Sequence, residues 1–130
     1  MAESEWVGVV DDDASIRISL ARVFRGNGIR VETFASAEEY LERTVPGEPT
    51  CLVLDVHLGE LTGFELQDRL ASDGTAPPII FITGHDDVPP ARLRQSDGMP
   101  GFLRKPFDTE LLVALVRRHL HSDTTSTNGR

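Results

Sequence analysis

Lysine is almost missing from this sequence: of 13 basic residues, Lys105 is the sole lysine and every other one is arginine. Cysteine is as scarce. The lone Cys51 excludes an internal disulfide and fits a reducing compartment, and inside "CLVL" it reads as a small buried strand residue, not a reactive thiol. Long apolar runs are absent. Runs such as "CLVL" at 51–54 and "IIFI" at 79–82 fall far short of the roughly 20 residues a bilayer demands. The N-terminal "MAESEW" has neither the basic nor the apolar region of an export signal, so a cytoplasmic location is expected. Basic runs are missing too. With a formal charge of −8 and no cationic stretch to release counterions, nucleic acid and anionic membranes are excluded as expected partners. Proteins, small anions and metal ions remain. What the chain does have, 39% hydrophobic and 26% charged residues in 130, suits one globular domain with a single continuous core.

Strand and helix signals alternate along it. The apolar "WVGVV" (6–10) ends in acids, and "ASIRISLARVFRGNG" (14–28) then spaces Ile16, Leu20, Val23 and Phe24 as a helix that stops at "GNG". "IRVETF" (29–34) alternates as a strand, and Ser36 with Glu39 forms a capping-box signal for a helix carrying Tyr40 and Leu41. "CLVLD" and "PPIIFIT" are continuous apolar strands suited to burial on both faces, with "GFELQDRLASD" (63–73) as a helix between them. "GFL" makes a short fifth strand. Asp108 then caps a last helix, with Leu111, Leu112, Leu115 and Val116 expected to face inward, and the polar tail 122–130 follows. Strands alternating with helices imply a parallel sheet covered on both faces, with right-handed crossovers.

In open sheets of this kind, ligands bind beyond the carboxyl ends of the strands. The first strand delivers Asp11, Asp12 and Asp13 there, the third Asp55, the fourth Thr83 and the fifth Lys105. An isolated "DDD" is usually a solvated turn or a helix cap, and an isolated surface lysine usually has no task; their ordered placement at successive strand ends gives the set its meaning. Crowded carboxylates resist ionising together unless a hard divalent cation sits among them, and Mg2+ prefers oxygen ligands. One aspartate can then attack phosphorus to give an acyl phosphate, while a cation neutralises the transferring oxygens. Lysine, a compact charge on a flexible stem, suits that last role better than planar guanidinium. That gives Lys105 a reason to differ from the arginines.

The segments "VVDDD", "LVLDVHL", "TGFEL", "FITGH" and "FLRKPF" together resemble the receiver domain of two-component response regulators over residues 5–121, and "FITGHDDVP" is similar to receivers of the nitrogen-fixation regulator group. The resemblance implies a flavodoxin-like three-layer α/β sandwich with a five-stranded parallel sheet in the order 2-1-3-4-5. It implies Asp55 as phosphoacceptor, and Asp11, Asp12, Asp55 and the backbone carbonyl of His57 as ligands of Mg2+, with Mn2+ as a substitute. By the same resemblance Thr83 turns its hydroxyl toward the phosphoryl group, Phe102 is the aromatic switch residue, Lys105 pairs with the phosphoryl group, and the bond to Pro106 is cis. Gly84 leaves the phosphorus reachable. The donor would be a sensor histidine kinase or a histidine phosphotransfer protein, docking near Ile16, Ser19 and the Pro106–Phe107 loop. The output would pass to a downstream protein through the 86–121 face, or through a homodimer formed by the family's fourth helix and the fifth strand. No enzymatic activity is expected beyond the domain's own phosphoryl transfer and dephosphorylation.

Three departures from the family pattern stand out. Gly59 replaces a frequent proline, so the loop after Asp55 is expected to be more permissive. Pro89 and Pro90, with few apolar residues over 86–101, predict a short or loosely held fourth helix. His57 and His85 flank Asp55 and Thr83, while His119 and His121 read as a basic helix end. No output module follows in the sequence, so a stand-alone receiver is expected. Two other readings compete with it. A haloacid-dehalogenase-type phosphohydrolase wants a second aspartate two residues after the nucleophile, where His57 stands; a receiver-like module acting without phosphorylation would not need the acidic cluster, Thr83 or Lys105. A flavin site lacks its phosphate loop, since acids follow the first strand.

Overall fold

The computed structural model describes residues 5–59, 61–84, 101–105 and 107–120. Five strands form one parallel sheet: β1 Val7–Val10, β2 Val31–Phe34, β3 Cys51–Asp55, β4 Ile79–Thr83 and β5 Gly101–Arg104. Their order is β2-β1-β3-β4-β5, the arrangement that the family resemblance implies. β1 pairs on both sides, Val9 lying opposite Thr33 of β2 and Val53 of β3, and Ile82 of β4 lies opposite Asp55. Every residue of β1, β3 and β4 is buried, which is why these segments read as apolar runs without alternation.

The side-chain period of two divides those strands between two cores. Val7, Val9, Val53, Ile80 and Ile82 point to one face, where α1 (Ala14–Gly26) brings Leu20 and Phe24 and the C-terminal helix (Thr109–Arg117) brings Leu112 and Val116. Val10, Leu52, Leu54, Ile79 and Phe81 point to the other, meeting Tyr40 of α2 (Ala37–Leu41) and Leu66 and Leu70 of α3 (Gly63–Ser72). Burying a Leu, Ile or Phe side chain contributes about 1.5–3 kcal/mol. With two such cores, the sheet is a rigid platform for whatever its strand ends carry.

Helix starts follow their capping residues. The Asp13 carboxylate accepts from Ser15 N at the head of α1, and the Asp108 carboxylate accepts from Glu110 N at the head of the C-terminal helix. At α2 only half of the expected box forms. Ser36 Oγ accepts from Glu39 N at 3.0 Å, but the Glu39 carboxylate accepts from Ala35 N, one residue upstream of the reciprocal partner. The complete box lies at α3, where Thr62 Oγ1 accepts from Glu65 N and the Glu65 carboxylate accepts from Thr62 N. One expected inward residue is wrong. Leu111 is 47% exposed, and Val113 takes a buried place beside Leu112 and Val116, because the helix turns its 112, 113 and 116 positions to the sheet. The expectations for a weak fourth helix, for His85 and His121, for the Pro106 bond and for the tail lie outside the described residues. None of the described helices is long and apolar enough to cross a membrane.

Candidate functional site

The carboxyl ends of β1, β3, β4 and β5 bring Asp11, Asp55, Thr83 and Lys105 together. Asp11, just past β1, is wholly buried, its N–H donating to the Phe34 carbonyl of β2. Asp55 closes β3 and is 5% exposed, and Thr83 closes β4 and is also buried. Lys105 follows β5 and donates its backbone N–H to the Thr83 carbonyl at 2.7 Å, which hangs its side chain over the site. The ammonium lies 3.0 Å from Asp11 Oδ2 and 3.6 Å from Asp55 Oδ2. One Nζ with three hydrogens can serve both oxygens, as a point charge should.

The other carboxylate oxygens are held by main chain. Asp13 N donates to Asp11 Oδ1 at 2.9 Å, and His57 N donates to Asp55 Oδ1 at 3.2 Å. That role for the His57 amide was not legible in the sequence, where only its carbonyl and ring drew notice. Asp12 is exposed, and Asp13 serves as the α1 cap, the humbler of the two roles open to a member of "DDD". Phe102 sits on β5 opposite Phe81, its side chain lying outside the described residues.

Two glycines shape the loop after Asp55. Gly59 has φ of +84°, the left-handed region that a side chain disfavours, so the permissive loop expected at this position does use glycine's freedom. Gly63 is needed for a different reason. Its N–H donates to the Val56 carbonyl at 2.8 Å, and a Cβ there would collide with the Asp55 backbone carbonyl. The "TGF" segment thus brings the head of α3 against the strand end that bears Asp55, a dependence that no pattern within the segment announces.

The sequence model of the response regulator receiver domain matches residues 7–117. This chain belongs to that family. Among curated relatives of the receiver, nodulation protein W of Bradyrhizobium diazoefficiens is 49% identical over 111 residues, covering 85% of this chain and 49% of the relative. The transcriptional regulatory protein FixJ of Azorhizobium caulinodans is 39% identical over 120 residues, covering 92% of this chain and 57% of the relative. The receiver therefore spans about half the length of these relatives. Among solved structures, a response regulator receiver protein from Burkholderia phymatum superposes with a TM-score of 0.74 at 39% identity, covering 90% of this chain and 95% of the other. The response regulator StyR gives 0.79 at 35% identity, covering 97% of this chain and 64% of the other. The resemblance to nitrogen-fixation-type receivers in bacterial two-component systems is thereby borne out.

Electrostatically the receiver site is a crowded anion pair with one counter-ion. Burial, and then the Asp11 charge, push the Asp55 carboxyl up from 3.8 to about 6, against the lowering effect of Lys105 and of the His57 amide. Burial by itself would lower the Lys105 pKa, but the hydrogen bond to Asp11 and the charges of Asp55 and Asp11 outweigh it and hold the ammonium above its ordinary value. Lys105 is thus charged at neutral pH. Asp11, Asp12 and Asp55 each offer an oxygen, and these lie within 4.8 Å of one another. Ligands of one octahedral Mg2+, each about 2.0–2.1 Å from the ion, sit roughly 3–4 Å apart, so modest closure of this set suffices. The donors are all oxygen, which favours a hard divalent cation over zinc or copper.

Proposed function

We propose that this receiver is a phosphoacceptor, with Asp55 as the residue modified. The observation that carries the reading is the placement of the buried Asp55 carboxylate between a fixed ammonium and two further acids at the ends of parallel strands. In the transfer, an Asp55 carboxylate oxygen attacks the phosphorus of a phosphohistidine. The phosphorus–nitrogen bond breaks, its electron pair stays on the imidazole, and an acyl phosphate forms. Asp55 Oδ1 is oriented by the His57 amide and Oδ2 faces Lys105, so the carboxylate is aimed before the donor arrives. Lys105 follows the developing charge onto the phosphoryl oxygens, and Thr83 supplies a hydroxyl at the neighbouring strand end. A bound Mg2+, held by Asp11, Asp12, Asp55 and the His57 carbonyl, would add electrostatic neutralisation of the same oxygens.

The donor is a sensor histidine kinase or a histidine phosphotransfer protein. The exposed side of α1 supports docking there: Ile18 is 54% exposed and Ser19 is exposed, while Ile16 is only half so. Output passes to a protein partner through the 86–121 face, of which β5 forms a sheet edge, with Thr83 and Phe102 as the switch pair. The chain works as a signalling switch in the cytoplasm and turns over only its own phosphoryl group.

Intact mass after incubation with Mg2+ and acetyl phosphate tests the reading, alongside Asp55→Asn and a chelated sample. A gain of one phosphoryl group that both controls abolish is the expected result. Failure of the folded wild-type protein to gain mass, from acetyl phosphate and from a cognate kinase alike, would replace this reading with a module that acts without phosphorylation.

A further inference from the structure

Asp11 is wholly buried, yet each of its polar groups has a partner: its N–H meets the Phe34 carbonyl, Oδ1 the Asp13 amide and Oδ2 the Lys105 ammonium. The fourth partner is Arg17. Its Nη1 donates to the Asp11 main-chain carbonyl at 2.7 Å, the shortest of these bonds, across six residues of chain. Arg17 also donates its backbone N–H to the Asp13 carbonyl, in the first hydrogen bond of α1. A single residue therefore ties both ends of the acidic turn 11–13 to the helix that follows. The half-buried guanidinium bonds a main-chain oxygen, not a carboxylate, so it leaves the carboxylates available to a ligand.

We infer that Arg17 is a positioning residue for the divalent-cation site: by clamping the Asp11 carbonyl it fixes the Asp11–Asp12 peptide so that both carboxylates converge with that of Asp55. Two opposed effects meet at this residue. Its charge repels an incoming cation, while its hydrogen bond presets the ligands. The bond is short, charge-assisted and partly buried, and such bonds are roughly twice as strong as neutral ones. The repulsion acts from a side chain already engaged with a carbonyl dipole. Presetting therefore outweighs repulsion. The inference rests on the reading of Asp11, Asp12 and Asp55 as a divalent-cation site.

Calorimetric titration of the full chain with MgCl2 tests it, using wild type, Arg17→Ala, Arg17→Gln and Arg17→Lys, with circular dichroism confirming the fold. Arg17→Ala is expected to weaken Mg2+ binding roughly tenfold, the scale seen when outer partners of metal ligands are removed. Arg17→Lys and Arg17→Gln each keep an N–H donor and should restore most of the affinity. Should Arg17→Ala fail to fold, Arg17→Gln still decides, because it removes the charge and keeps the donor. A tenfold loss in Arg17→Gln despite its retained donor, or unchanged or tighter binding in a folded Arg17→Ala, overturns the clamp. No Mg2+ binding by wild type instead removes the cation-site reading itself, an outcome distinguishable from the others.

Discussion

Replacing Asp55 with asparagine should stabilise the metal-free receiver at neutral pH, although it removes the central carboxylate. Folding raises the Asp55 pKa from 3.8 to about 6, so between those values the folded state binds more protons than the unfolded one. Stability must then fall as pH rises through that window, and at neutral pH the full cost of a buried, repelled carboxylate is present. A rise of this size corresponds to on the order of 3 kcal/mol, and to about 2 once water reaching the open end of the site is allowed for. Asparagine keeps the oxygen that accepts from His57 N and removes the charge that faces Asp11. Urea unfolding in the presence of a chelator should therefore show Asp55→Asn more stable than wild type by about 2 kcal/mol at pH 7.5, with the difference shrinking toward zero near pH 4. Saturating Mg2+ should reverse the order, since wild type then gains binding energy that the variant cannot. Equal or lower stability of Asp55→Asn at pH 7.5 without metal would refute the reasoning, by showing that Lys105 already compensates both carboxylates.

Lys105→Met removes the cation that lowers the Asp55 pKa; a carboxyl NMR titration should find Asp55 moved upward from about 6 by on the order of one unit. Gly63→Ala sets a Cβ against the Asp55 carbonyl, and overpacking of this kind costs about 1–3 kcal/mol in chemical denaturation, with acetyl-phosphate labelling reduced as the strand end shifts. Gly59→Ala should cost about 1–2 kcal/mol through its left-handed backbone alone, without a collision, so its labelling should suffer less than that of Gly63→Ala. Cys51 is fully buried and its thiol is pushed up to about 12 by burial; a maleimide should therefore modify it only as the protein unfolds, and rapid native labelling would contradict the assigned strand.

Much of the site was legible because a parallel α/β chain writes its ligand-binding positions at a fixed grammatical place, directly after each apolar run. "CLVLD" and "IIFIT" ended at Asp55 and Thr83 as they read, since strands buried on both faces leave no ambiguity of period. The scarcity of lysine singled out Lys105 without any coordinates. Short amphipathic elements were less transparent. Leu111 and Val113 exchanged places because a helix's rotation depends on which surface it meets, and the Ser36–Glu39 box closed only halfway because the Glu39 carboxylate found the Ala35 amide instead.

The sequence by itself determined the alternation of strand and helix, the all-buried central strands, the cap at Asp108, and the set of acids and cation carried by the strand ends. Each of those is a local property, fixed by side-chain period or by a residue's own backbone preference. Tertiary structure alone decided how they meet. It placed the Lys105 ammonium nearer Asp11 than Asp55, gave Asp55 Oδ1 to the His57 amide, forced glycine at 63 by bringing α3 against a carbonyl eight residues earlier, and turned Arg17 back onto Asp11. These are distances between separate elements, and they exist only once both faces of the sheet have packed.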